Sequence, residues 1–273
     1  MTARGSGPSG FVAGALTAGV VTAAWTALSR RPAVPAGWRR RNFRDREVSL
    51  LLGPAIGVGA LAGAAVAGAG ERRGAMLVVF SAAAVGGYDD LYGDRHARGL
   101  GGHLRALRDG RVTTGMVKLV SMVAAAAVAS ADRHRTVVDA ALGTVLVAGG
   151  ANLVNLFDLR PGRAAKVSLL AAAGLSRTAV RPARTMAAVG GAAALAALPP
   201  DLGERAMLGD CGAGTLGAAL GWSAAISGSR ARRTALAAVV AGLTLASERV
   251  SFSAVIDRQP ILRTLDELGR QPA

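Results

Sequence analysis

Asp89 and Asp90 form an adjacent carboxylate pair at the end of Gly86-Gly87-Tyr88-Asp89-Asp90, where an apolar run from Gly74 meets a charged loop. Ionised neighbours repel unless a cation screens them, and Mg²⁺ is commonly held by one or two carboxylates together with substrate phosphates. The competing reading is a solvated loop start, because ionisable residues just outside a membrane span are ordinary. Further on, Asn152, Asn155 and Asp158 recur every third position and are followed by Arg160, Pro161, Gly162, Arg163 and Lys166. If a helix continues through them, the three polar residues share one face. Amides, a carboxylate and three cations at one helix end suit a phosphorylated ligand, since Arg forks bind phosphate bidentately and Lys supplies a point charge. Interhelical asparagine hydrogen bonds beside topology-setting arginines are the alternative.

Two more groups sit inside apolar runs. Asp210 lies between Gly209 and Cys211-Gly212, and an acid at membrane depth is costly enough to be read as functional by default. Lys118 lies one turn inside the run that starts at Thr113, either as a charge partner or as a side chain that snorkels to the surface.

The elements that must position these groups are apolar blocks. Half of the 273 residues are apolar and only 4% are aromatic, and the blocks are continuous rather than amphipathic. This pattern predicts an all-α, polytopic integral membrane protein forming a single domain over 1–273. The blocks give about nine spans: Phe11–Ser29, Ser49–Ala69, a short Gly74–Gly87, Thr113–Ala131, Thr136–Phe157, Ala164–Leu175, Met186–Leu198, one beginning at Ala206, and one from Thr234 to Ser247. Arg30, Arg31 and the arginines up to Ser49 belong in the cytosol, which predicts an N-out, C-in topology in the cell membrane. The loop after Tyr92, with His96 and His103, is then cytosolic, and His134 and Asp139 are outer-surface residues. Residues 256–273 read as a cytosolic amphipathic tail. Asp89, Asp90, Asp158, Asp210 and Glu248 all fall on the cytosolic side.

The formal charge of +15 does not point to nucleic acid, because the arginines cluster between apolar blocks with no basic face interleaved with aromatics. The only lysines are Lys118 and Lys166, and the single cysteine, Cys211, excludes an intramolecular disulfide and a zinc site.

Taken in order, Arg40-Arg41-Asn42-Phe43-Arg44, Gly-Gly-Tyr-Asp89-Asp90, Asn152-Leu-Val-Asn155-Leu-Phe-Asp158, Leu-Gly-Asp210-Cys-Gly with Leu216-Gly217, and Glu248-Arg-Val-Ser251 resemble the polyprenyl-phosphate N-acetylhexosamine-1-phosphate transferases. That superfamily includes the phospho-MurNAc-pentapeptide and GlcNAc-1-phosphate transferases. The resemblance implies Mg²⁺-dependent transfer of a phospho-sugar from a uridine nucleotide sugar to a polyprenyl phosphate at the cytosolic face, in cell-envelope glycan synthesis. It gives Asp89 and Asp90 a catalytic role facing metal and lipid phosphate, and Asp210, with Asp90, a role as metal ligand. Asn152, Asn155 and Asp158, with Lys118, Arg160, Arg163 and Lys166, would bind substrate. Relatives self-associate, so a homodimer is expected. The chain departs from the family twice: Pro161 stands where a second aspartate is usual, and no histidine-rich motif follows Ser251. A catalytically degenerate relative that binds polyprenyl phosphate or an envelope-assembly partner is therefore the alternative.

Overall fold

The computed structural model describes residues 10–93 and 99–272, side chains at 99, 100, 103 and 104 excepted. His96 and the side chain of His103 lie outside the described residues. The chain folds as α1 (Gly10–Ser29), a single 3-10 turn (Ala36–Trp38), a hairpin of β1 (Arg39–Arg41) and β2 (Glu47–Ser49), then α2 (Leu52–Ala65), α3 (Ala69–Tyr92), α4 (Gly99–Arg108), α5 (Thr114–Arg133) and α6 (Val137–Phe157). It continues through α7 (Arg163–Leu175), α8 (Arg181–Leu202), α9 (Gly209–Ala225), α10 (Arg230–Ser247), α11 (Phe252–Arg258) and α12 (Pro260–Glu267). It is thus a mostly helical bundle with one short β-hairpin, which the all-α expectation lacked.

Among the described residues five helices are long and apolar enough to cross a membrane, namely α1, α3, α5, α6 and α8, and a sixth qualifies if α10 and α11, bent by 93° at their junction, count as one. The expectation of about nine spans exceeds this because α2, α7 and α9 are only 14, 13 and 17 residues long. Helix direction nevertheless alternates. Glycine contacts set α2 against α1, α9 against α3 and α6, and α7 against α8 in antiparallel pairs. Lys118 with Asp89 at one end and Arg133 with Glu71 at the other do the same for α5 and α3.

The centre of the bundle is α9, with almost every residue buried. A helix enclosed by protein needs no large apolar side chains facing lipid, and its Gly, Ala, Ser and Thr content lets neighbours come close. Gly217 meets the Gly150 backbone of α6 and Gly221 meets that of Leu146, so the two axes approach until main chain touches main chain. Trp222 fills the space that Gly74 of α3 leaves open. At the end remote from the aspartate pair, Glu71 pairs with Arg133 at 2.6 Å, and Asp139 pairs with Arg230 at 2.8 Å and Arg233 at 2.7 Å. His134 caps α5 there. Asp139, expected as an outer-surface residue, is buried beneath these arginines.

A methyl group at Gly217 would collide with the Gly150 carbonyl, whereas one at Gly242 of α10 would meet nothing. Gly217→Ala should therefore lower the thermal unfolding midpoint in detergent by the equivalent of about 1–3 kcal/mol, the usual cost of overpacking. Gly242→Ala should leave it unchanged or raise it slightly.

Candidate functional site

Site geometry starts from the unpaired N–H groups that every helix carries in its first turn. In α9 two of them are met by one side chain of another helix. Asp210 N–H donates to Asp90 Oδ1 and Cys211 N–H to Asp90 Oδ2, both at 2.9 Å. Asp158, the residue that closes α6, lies beside Gly209 at the same helix start. Carboxylates are favoured at such a terminus by both the donors and the helix dipole. Gly209 adopts φ +63°, and a Cβ there would come within 2.8 Å of the Asp90 carboxylate. Glycine is thus required by conformation and by space.

This docking sets Asp210 beside Asp89. The Lys118 ammonium, from the first turns of α5, donates to Asp89 Oδ2 at 2.6 Å and to Asp210 Oδ2 at 2.8 Å. Three helices therefore converge on one cation and two carboxylates, all partly shielded from solvent. The aspartate pair was expected at the cytosolic surface beyond a short span. Instead α3 continues to Tyr92, both aspartates lie in its last turns, and Asp90 is buried. Because successive helical residues point about 100° apart, the two neighbours divide the work: Asp90 faces α9 and Asp89 faces α5.

Asp89 and Asp210 carry hard oxygen donors of the kind Mg²⁺ takes. One oxygen of each is bonded to the Lys118 ammonium, and both oxygens of Asp90 are engaged by backbone amides, so a cation would meet the two oxygens of Asp89 and Asp210 that Lys118 leaves. Among the described residues no three His, Cys, Asp or Glu side chains converge on one point. The chain thus supplies two carboxylates, a number that matches a metal completed by phosphate and water.

The second group of expected site residues divides. Helix α6 stops at Phe157, so Asp158 does not continue the face of Asn152 and Asn155. Asn152 is exposed, Asn155 half-buried and Asp158 buried. Asp158 faces a recess that Asn42, Phe43, Arg160, Asp201 and Glu204 also line. The Arg160 guanidinium lies 4.3 Å over the Phe43 ring. Burial, together with the Asp201 and Asp210 carboxylates, pushes the Asp158 carboxyl well above the usual carboxylate range.

Arg163 and Lys166, expected among the phosphate-binding cations, are engaged by the chain's own tail. Arg163 is 2% exposed and forks onto Asp266 at 2.8 and 2.7 Å, with a third bond of 2.7 Å to Ser253. Lys166 Nζ donates to the carbonyls of Leu265, Asp266 and Leu268 at the end of α12. Arg270 also pairs with Asp266 at 2.6 Å. Burial alone would raise the Asp266 carboxyl, but the hydrogen bonds from Arg163 and Arg270 outweigh it and hold it below the usual range. Glu248 is exposed at the end of α10.

Three groups at this end were given no site role from the sequence. Arg40 of β1 donates to the Asp90 carbonyl. Glu204, at φ +50°, accepts from Asn42 at 2.7 Å and Arg44 at 2.8 Å. Asp201 accepts from Gly162 N–H at 2.8 Å and so fixes the Pro161-Gly162 turn beside Asp158. A signal for the last two existed: Asp201 and Glu204 follow Pro199-Pro200 at the end of an apolar run, immediately before the Asp210 segment.

An acid whose folded-state pKa is raised contributes stability below its ordinary pKa and loses it as pH rises. Asp158→Asn stays neutral throughout. Its unfolding midpoint relative to the wild type should rise between pH 5 and pH 8, as measured in detergent at both values.

No protein-family model matches this chain, and no curated protein sequence matches it.

Proposed function

We propose that the protein is a multi-pass cell-membrane transferase that moves a phospho-sugar from a UDP-sugar to a polyprenyl phosphate at the cytosolic face. The observation that carries this reading is the meeting of Asp89, Lys118 and Asp210 from three helices at one end of the bundle. The ordered sequence motifs that resemble the polyprenyl-phosphate transferases support it. In this reading all nine alternating helices cross the bilayer, with the N-terminus outside and both Asp89 and the C-terminus inside.

In the reaction a polyprenyl-phosphate oxygen attacks the sugar-linked phosphorus of the nucleotide sugar. The bond from that phosphorus to the bridging oxygen breaks, and UMP leaves with the electron pair. Such a transfer depends on positioning and on meeting negative charge. Mg²⁺, held by Asp89 and Asp210, would supply Lewis-acid polarisation of the phosphoryl oxygens when bound. Lys118 holds the two carboxylates together and offers its ammonium to a phosphate that enters between them. Asp90 acts through α9, keeping Asp210 in place. Arg160 and Asn42 line the Asp158 recess as contacts for the nucleotide or sugar.

A second reading, a relative that binds polyprenyl phosphate without turnover, is favoured by one observation: Arg163 and Lys166 are consumed by the tail rather than open to a ligand. A transfer assay separates the two. Purified protein in detergent is given undecaprenyl phosphate, Mg²⁺ and radiolabelled UDP-amino sugars. The transferase reading predicts lipid-linked product that disappears on chelation and falls by about 10²-fold or more in Asp210→Asn. Binding of the lipid phosphate without product from any donor would favour the second reading.

A further inference from the structure

Helix α12 touches three different surroundings. Around an α-helix residues advance 100° each, which sets Asp266 on one side, Arg263 and Glu267 on a second, and Ile261, Leu265 and Leu268 on a third. The Asp266 side is buried against Arg163 and Arg270, while Arg263 and Glu267 are exposed. The third side is apolar and uncovered, with Ile261 77%, Leu265 53% and Leu268 66% exposed. In water, so dense an aliphatic patch on an eight-residue helix would be costly.

The location of the helix names its occupant. Arg163 and Lys166, which hold α12, lie in the first turn of α7, level with the last turn of α8 through the Gly162–Asp201 bond. Helix α8 is long and apolar enough to cross a membrane, so α12 sits where such a span ends. The chain reaches it through a 93° bend between α10 and α11, which lays α11 across the bundle axis. Leu245, near the end of α10, is likewise exposed, at 68%.

We propose that α12 is an interfacial anchor whose Ile261, Leu265 and Leu268 side chains lie in the headgroup–acyl boundary of the membrane that the bundle crosses. The apolar face embeds while Arg263 and Glu267 stay in water, the arrangement of an amphipathic helix lying in the plane of a bilayer. The Asp266 pairs tie this helix to the Pro161-Gly162 turn, since Arg270 also donates to the Pro161 carbonyl at 3.0 Å. The lipid surface thereby gains a rigid connection to the loop that carries Asp158. This proposal rests on the membrane reading alone, not on transferase activity.

Site-directed spin labelling in lipid nanodiscs tests it. Nitroxides are placed singly through Ile261→Cys, Leu265→Cys and Glu267→Cys, with the buried Cys211 left in place, and collisions with oxygen and with a water-soluble nickel chelate are compared. Labels at 261 and 265 should relax several-fold more with oxygen than with the chelate, and the label at 267 should show the reverse. Chelate access at 261 and 265 equal to that at 267 would overturn the proposal. Shielding of 261 and 265 from both reagents would also overturn it, because it would mean that protein, such as a second copy of the chain, covers the face.

Discussion

The arrangement depends on a carboxylate from one helix completing the hydrogen bonding of another. Asp90 of α3 accepts the N–H groups of both Asp210 and Cys211. Gly209 and Cys211 are buried at the start of α9, and unmet donors in such a place would cost about 1–3 kcal/mol each. Satisfying two of them from one carboxylate fixes the height and rotation of α9 relative to α3. Once that register is set, Asp210 has no choice but to face Asp89, and two partly shielded carboxylates side by side require the cation that Lys118 brings. The chemistry-bearing cluster is thus a consequence of helix docking rather than a separate construction.

The same logic extends outward through a second layer of acids. Glu204 draws the β-hairpin over the recess through Asn42 and Arg44, and Arg40 returns from that hairpin to the Asp90 carbonyl. Asp201 holds the Pro161-Gly162 turn, and Asp266 draws the C-terminal helices against Arg163. Phe252 of α11 stacks on Phe157 at the end of α6, with ring centroids 5.0 Å apart. Glu204, Asp201 and Asp266 therefore each fasten a different segment to the rim of the site, which is how a chain with few aromatics and small side chains builds a defined surface.

The mostly helical character and the approximate positions of the apolar helices were legible because continuous apolar blocks separated by arginine clusters have few other solutions, whereas the hairpin of β1 and β2 was not expected. That Asp89, Lys118 and Asp210 belong to one end followed from the alternation of helices alone. The different fates of Asp89 and Asp90 were not legible, because the helix was expected to stop before them, and only its continuation to Tyr92 turns one inward to α9 and the other toward α5. The engagement of Arg163 and Lys166 was hidden for a different reason: their partner, Asp266, lies about a hundred residues away on a short helix, and no local pattern pairs them. Helices α2, α7 and α9, at 14, 13 and 17 residues, fall short of an ordinary span, and apolar blocks alone do not show where a helix stops.

The central claim, that Lys118 sits between Asp89 and Asp210 because α9 is docked on Asp90, is tested most directly by comparing thermal unfolding of Lys118→Met with that of the same change combined with Asp89→Asn and Asp210→Asn. Removing only the cation leaves two partly shielded carboxylates facing one another, at a cost of about 1–3 kcal/mol after allowance for solvent screening. Removing all three charges removes that repulsion. The account predicts that the triple variant unfolds at a higher temperature than Lys118→Met alone. Losses that simply add, leaving the triple variant the least stable, would show that the three groups do not form one cluster.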